Sequence, residues 1–219
     1  MLQAVIFDLD GTLANTDPIH LKVWRKILEP YGYTVDDAFF KANISGRLNE
    51  HLIKELLPQL SAAAGEQLAV DKEAQFRELA ANELQRMPGF DALYDWIKNH
   101  GLKTAVVTNA PRANAEFVLK ILQLESAFDF MLIAGELPRS KPDPLPYITA
   151  LERLAVSAAA AVDFADSKTG IQSAVAAQIP TVGVASTHDP EMLYSYGVSL
   201  VIEDFADVRL QQFGLLQSY

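Results

Sequence analysis

From Gly89 onward the chain alternates between short β-rich apolar runs and segments with helical spacing, and this order constrains its fold more than any other feature. Helices are expected over 90–99, 114–122, 146–154 and 169–177, with strands over 102–107, 130–133, 161–165, 181–184 and about 200–202. Repeated strand-then-helix order implies right-handed crossovers between parallel neighbours, hence an α/β fold: a Rossmann-like, mainly parallel sheet with helices on both faces. A further β-rich run, 3–7, opens the chain and breaks into Asp8-Leu9-Asp10-Gly11-Thr12, which reads as a buried strand ending in a glycine turn. Ligands of such sheets bind at the carboxyl ends of the strands, so that turn is where chemistry is expected.

Between the first strand and Gly89 the periodicity is helical throughout, as in Ile19, Val23 and Ile27 and then Leu52, Leu56 and Leu60. The chain therefore divides into an α/β core, 1–15 and 88–219, and an all-helical insert, 16–87. Pro30-Tyr31-Gly32 and the stretch Ser61-Ala62-Ala63-Ala64-Gly65 are expected as breaks within the insert, and Met87-Pro88-Gly89 as the return to the core.

The formal charge of −10 disfavours nucleic-acid and anionic-membrane partners, which call for clustered Lys and Arg. An acidic chain that handles phosphates must gather its few cations at one site or use a metal ion there. With no cysteine, disulfides, thiolate chemistry and sulfur-ligated zinc are excluded. The apolar run at the N-terminus lacks a preceding basic region and is interrupted by Asp8 and Asp10, so a cytoplasmic location is expected.

Asp8 and Asp10 stand two residues apart at a strand end, where continued strand geometry places both carboxylates on one face and Gly11 lets the backbone turn. A structural turn with aspartate caps would read the same way. Three later segments fall at the same sheet edge: Thr108-Asn109 after strand 102–107, Lys141-Pro142-Asp143-Pro144 after 130–133, and Asp166-Ser167 after 161–165. A hydroxyl, an amide, an ammonium and a carboxylate converging on Asp8 make a site for a phosphoryl group held beside Mg²⁺. Singly, Thr108 and Asp166 also suit helix caps, and Lys141 a solvated lysine.

In series, Phe7-Asp8-Leu9-Asp10-Gly11-Thr12-Leu13, Thr108-Asn109, Lys141-Pro142-Asp143-Pro144 and Asp166-Ser167-Lys168-Thr169-Gly170-Ile171 resemble the haloacid dehalogenase superfamily over essentially the whole chain. The helical insert resembles that superfamily's first type of cap domain, and the nearest branches are β-phosphoglucomutase and the phosphoglycolate and sugar-phosphate phosphatases. The resemblance implies Asp8 as nucleophile and Asp10 as general acid and base. It implies Thr108, Asn109 and Lys141 around the phosphoryl oxygens, and a magnesium site of Asp8, Asp166 and the backbone carbonyl of Asp10. The implied activity is hydrolysis of a small phosphorylated metabolite through an aspartyl-phosphate. A sugar-phosphate mutase is the alternative enzyme, and a non-catalytic phosphate-binding module the alternative outside enzymes. Thr108-Asn109-Ala110-Pro111-Arg112 looks more like the hydrolase branch than the serine-rich loop of the mutase. A monomer and a homodimer are equally compatible with the chain.

Within the insert, His20 on its first helix faces either solvent or the cleft, and Arg47 is a candidate to fork onto a substrate carboxylate or second phosphate, or else to pair with Glu50 at the surface. Lys72 resembles a lysine that some members point at substrate, but in a charged helix it is expected to be solvated. Two departures from the family pattern and one residue odd for its strand stand out. Ala165 replaces a common acidic residue and is expected to weaken magnesium binding, Asn15 replaces a common aspartate, and Asp163 is expected near the exposed end of the sheet because a buried strand has no ready partner for it.

Overall fold

The computed structural model describes residues 1–186 and 188–212 and contains one six-stranded sheet. Its strands are β1 (Ala4–Phe7), β2 (Lys103–Thr108), β3 (Phe130–Ile133), β4 (Ala161–Ala165), β5 (Thr181–Val184) and β6 (Leu200–Ile202). They lie in the order β3-β2-β1-β4-β5-β6, every pair parallel. The order reverses beside β1, so the polar turn after β1 opens at the place where α/β sheets form a crevice.

Before β2 the chain forms α1 (Asp17–Leu28), α2 (Asp37–Asn43), α3 (Asn49–Leu56), α4 (Ala62–Ala80) and α5 (Phe90–Asn99). After it come α6 (Arg112–Ile121), α7 (Leu145–Leu154), α8 (Lys168–Ala176), α9 (Pro190–Ser195) and α10 (Arg209–Gln212). The expected strands and core helices are present to within two residues. The sequence reading missed α9 and α10, whose six and four residues are too few to show a period. For α9 a local signal existed, since Asp189 accepts the Glu191 N–H and Pro190 sits at the first helical position. The stretch 61–65 is not a break. Ser61 accepts from the N–H of Ala64 and thereby starts α4, which runs on through the small residues.

Alternation along the strands sends Val5, Phe7, Val106, Val162 and Phe164 to one face and Ala4, Ile6, Ala105, Val107 and Ala161 to the other, where Tyr147 and Ala150 of α7 pack. Phe7 stacks on Phe164 with centroids 5.4 Å apart and meets Phe90, Phe128 and Phe205 edge-on. Burying each ring contributes roughly 1.5–3 kcal/mol, so the residue before Asp8 is the anchor of its strand. Asp8 itself is tied in by its N–H, which donates to the carbonyl of Phe164 at 2.8 Å.

The helical excursion leaves and rejoins the sheet at adjoining points, where Met87 N–H donates to the Leu13 carbonyl at 2.8 Å. Asp163 contradicts the sequence reading. It is fully buried in mid-sheet, paired in register with Ile6 and Thr181, and neither carboxyl oxygen has a hydrogen-bond partner. Among the described residues no helix is long and apolar enough to cross a membrane.

Candidate active site

The four expected segments meet at the carboxyl edge of β1, β2 and β4, in a cleft of about 560 Å³ that the sheet shares with the helical segment. Asp8, Asp10, His20, Arg47, Thr108, Asn109, Lys141 and Asp166 all line it. No candidate named from the sequence lies elsewhere.

Asp8 is buried, and both its oxygens are held. Oδ1 accepts the N–H of Leu9 at 2.8 Å and Oδ2 faces Lys141 Nζ at 2.8 Å. Lys141 is not a solvated lysine: its ammonium also donates to the Val107 carbonyl at 2.7 Å and lies 5.1 Å over the Tyr147 ring. Burial pushes the Asp8 carboxyl above its usual value and Asp10 adds to that, while Lys141 and the Leu9 N–H pull the other way. For Asp166 burial acts again, and the charges of Asp17, Asp8 and Asp10 push it well up. Its side chain is held by Thr12, whose Oγ1 donates to Oδ1 at 3.2 Å.

Gly11 explains how this crowding is possible. It has φ +72°, and a Cβ there would fall 2.1 Å from Asp166 Oδ2. Only glycine lets the turn after β1 pass so close to the carboxylate.

Four carboxyl groups, Asp8, Asp10, Asp17 and Asp166, thus crowd the cleft against two buried ammoniums, Lys141 and Lys72, and the surplus negative charge calls for a cation. Among the described residues no three His, Asp or Glu side chains stand close enough to hold a metal by themselves. That fits an ion such as Mg²⁺, which takes one or two carboxylates and fills its shell with carbonyl, water and phosphate oxygens. The carboxylates buried at this edge are Asp8 and Asp166. Ala165 packs with Ile171, Leu193, Val198 and Val201 and supplies no ligand.

Asp10 is partly exposed to the cleft. Burial by itself raises its carboxyl, but His20, the Thr16 hydroxyl and Lys72 outweigh it and hold the group below its usual value. His20 faces the cleft rather than solvent, with Nε2 3.7 Å from Asp10 Oδ1 and its ring stacked on Phe76 at 4.0 Å. Thr108 Oγ1 accepts the Ala110 N–H at 2.9 Å, which leaves the hydroxyl hydrogen free to donate into the cleft. Asn109 Nδ2 donates to the Gly46 carbonyl at 3.0 Å, and its buried Oδ1 has no partner.

The same Gly46 carbonyl accepts Thr169 Oγ1 at 2.7 Å, so the loop before α3 is bound both to the loop after β2 and to the first turn of α8. Gly46 has φ +72°, and a Cβ there would meet Thr169 Oγ1 at 2.5 Å. The adjacent Arg47 pairs with Glu55 at 2.5 Å and donates to the Asn43 carbonyl at 2.8 Å, not to Glu50. Lys72 overturns the expectation of a solvated side chain. It is 3 % exposed, donates to Glu73 at 2.7 Å and to His20 Nδ1 at 3.0 Å, and lies 5.6 Å from the Trp24 ring centroid.

Glu73, Asn49, Asn114 and Arg77 also line the cleft and were not singled out in the sequence. Their signal was weak, since polar residues on an amphipathic helix are normally assigned to solvent.

Residues 5–184 match the sequence profile described as haloacid dehalogenase-like hydrolase. The chain is 32% identical over 208 residues to a phosphorylated carbohydrates phosphatase of Thermotoga maritima, covering 92% of this chain and 94% of the relative. It is 33% identical over 184 residues to the fructose-1-phosphate phosphatase YqaB of Escherichia coli, covering 82% and 95%. The crystal structure of β-phosphoglucomutase from Clostridium difficile superposes with a TM-score of 0.85 at 24% identity, over 98% of this chain and 96% of that one, a likeness of fold. A profile that runs from the first strand to the fifth, with relatives of a third identity along most of the length, makes this chain a member of the haloacid dehalogenase-like hydrolase family.

Proposed function

We propose that the protein is a magnesium-dependent phosphatase acting on a small phosphate monoester of the sugar-phosphate or phosphoglycolate type, through an aspartyl-phosphate on Asp8. The observation that carries this reading is the Asp8 carboxylate, buried at a strand end and oriented on both oxygens by Lys141 and the Leu9 N–H. Phosphatase relatives over most of the chain support the substrate class.

In the first half-reaction an Asp8 oxygen attacks phosphorus and the ester P–O bond breaks. A proton from the Asp10 carboxyl neutralises the departing alkoxide. In the second, the Asp10 carboxylate takes a proton from water as the water oxygen attacks phosphorus, and the bond to Asp8 breaks to release phosphate. Free Asp10 is held ionised by His20 and Lys72, which suits the second half. The negative charge of a bound phosphate beside it favours the protonated acid needed for the first.

Lys141, Thr108 and Asn109 are the groups that would hold the phosphoryl oxygens. Asp8, Asp166 and the Asp10 carbonyl would hold Mg²⁺, which when bound supplies positive charge where negative charge collects on the transferring group. Residues 16–87 serve as a cap over the core, 1–15 and 88–219, and His20 and Arg47 belong to the part of the cleft that meets the leaving group.

The test is phosphate release from a panel of small monoesters, with Mg²⁺ and with EDTA, for wild type and Asp8→Asn. Magnesium-dependent release that disappears in the variant is expected, and release undiminished by the substitution would refute the phosphoenzyme. Conversion of a hexose 1-phosphate to its 6-phosphate faster than release of free phosphate would instead make the protein a mutase.

A further inference from the structure

Three elements close on one carboxylate at the wall of the cleft. Glu73 of α4 is 6 % exposed, and its Oε1 accepts from Lys72 Nζ at 2.7 Å and from Asn49 Nδ2 of α3. Its Oε2 accepts from Asn114 Nδ2 of α6, and Asn114 Oδ1 in turn accepts from Arg77 Nη1 of α4. Asn114 is 2 % exposed and is the one member of the group contributed by the core. The cap and core are thus joined here by an amide with both its atoms engaged, the nitrogen on Glu73 and the oxygen on Arg77.

The group leads to the chemistry. From Glu73 the contacts run through Lys72 to His20 Nδ1 at 3.0 Å, and His20 Nε2 stands 3.7 Å from Asp10 Oδ1. An ammonium has donors only, so His20 Nδ1 receives and the ring carries its proton on Nε2, toward Asp10. A buried lysine without water around it depends on its anionic partner for its place. That partner is Glu73, and Asn114 can clasp Glu73 only when cap and core are together.

We propose that Glu73 is a positioning residue which, completed by Asn114 on cap closure, aims Lys72 and through it the His20 ring at Asp10. The inference rests on the phosphatase reading, because what is aimed is the proton-transfer group of that reaction. It makes substrate-side proton transfer depend on a contact across the domain boundary, remote from phosphorus.

An exchange of the two facing groups tests it. In Glu73→Gln alone two amide nitrogens oppose each other, and in Asn114→Asp alone two carboxylates do. In the double variant the introduced glutamine still accepts from Lys72 and Asn49 through its oxygen and donates through its nitrogen to the introduced aspartate. That aspartate still accepts from Arg77, so every hydrogen bond survives.

Each single variant is expected to lower kcat about 10- to 100-fold with KM within about threefold, as for a lost buried hydrogen bond felt in the transition state, and the double, which keeps the hydrogen bonds but moves the negative charge from Lys72 to Arg77, to recover in part, exceeding the product of the singles about tenfold. Asn114→Ala removes the clasp without opposing like groups, so it guards against a single variant that does not fold, and it too must lower kcat about tenfold. Wild-type kcat in Asn114→Ala, or a double variant no better than the product of the folded singles, would overturn the proposal.

Imidazole ¹⁵N shifts of His20 give a readout that needs no turnover. A protonated Nε2 and a bare Nδ1 are expected in wild type and the double variant, with averaged tautomers in the singles. The same shifts in all four proteins overturn the positioning role. If wild type releases no phosphate from any monoester, the phosphatase reading falls and these shifts still decide the clasp.

Discussion

Replacing Asp163 by valine should stabilise the protein, and by more at high pH than at low. Asp163 occupies mid-strand in β4 between Ile6 and Thr181, fully buried, with neither oxygen hydrogen-bonded. Burial pushes its carboxyl well above the usual 3.8, and the Asp8 charge adds to this, while the Lys141 charge pulls it back without prevailing. A buried polar group without a partner costs about 1–3 kcal/mol, and valine removes that cost while its branched side chain suits a pleated interior. For a chain of this size about 2–4 °C in Tm accompanies each kcal/mol, so Asp163→Val should melt roughly 2–12 °C above wild type near neutrality.

The sign with pH follows from the raised value. An acid that binds its proton more tightly in the fold contributes most below the unfolded value of 3.8 and loses that contribution as pH rises toward the folded one. The valine variant has no such loss, so the gap between the two proteins should widen as pH rises above 3.8. Thermal melts by circular dichroism at several pH values measure it. A valine variant that melts below wild type at neutral pH would mean that the carboxylate is ionised and held by Lys141, and the reasoning would be refuted.

Gly11→Ala should abolish phosphate release and lower stability by about 1 kcal/mol or more, because its Cβ would stand 2.1 Å from Asp166 Oδ2 at φ +72°; an alanine variant with wild-type turnover would show that the turn has room to move. Burial opposes ionisation of Glu73, but the Lys72 charge and the hydrogen bonds from Lys72 and Asn49 outweigh it and hold the carboxyl below its usual 4.5. The stability this gives is present above 4.5 and lost as pH falls through the lower folded value, so the deficit of Glu73→Gln in urea melts, about 1–3 kcal/mol near neutrality, should shrink below about pH 4. Thr169→Val removes the hydroxyl that holds the Gly46 carbonyl, and should speed proteolytic cleavage within 13–16 and 87–89 several-fold in the presence of orthovanadate; unchanged cleavage would separate that contact from closure.

The α/β order, the strand positions and the four polar strand ends were legible in the sequence because each is written locally. A period of two or of 3.6, a glycine after Asp10 and a polar residue after an apolar run are properties of a few consecutive residues. Once the strands are parallel, their carboxyl ends share an edge, and Asp8, Thr108, Lys141 and Asp166 are brought together without further information. Even Gly11 could be read as a turn, although not as the place where Asp166 needs the space of a missing side chain.

Other features were decided only by packing between distant segments. Ser61 to Gly65 has the composition of a break, yet a cap on Ser61 and the packing of α3 on α4 make it a helical start. Arg47 takes Glu55 as its partner where sequence proximity suggested Glu50. Lys72 and Asn114 lie on helices whose polar faces would meet water if each helix stood alone, and they are buried because the helical segment and the sheet close on one another there. Asp163 is buried for the converse reason, since a strand flanked on both sides and covered by α7 leaves its side chain no route to solvent. Local pattern determines which residues can stand at a sheet edge, whereas the solvent exposure, partner and proton affinity of a charged side chain depend on what the rest of the chain sets against it.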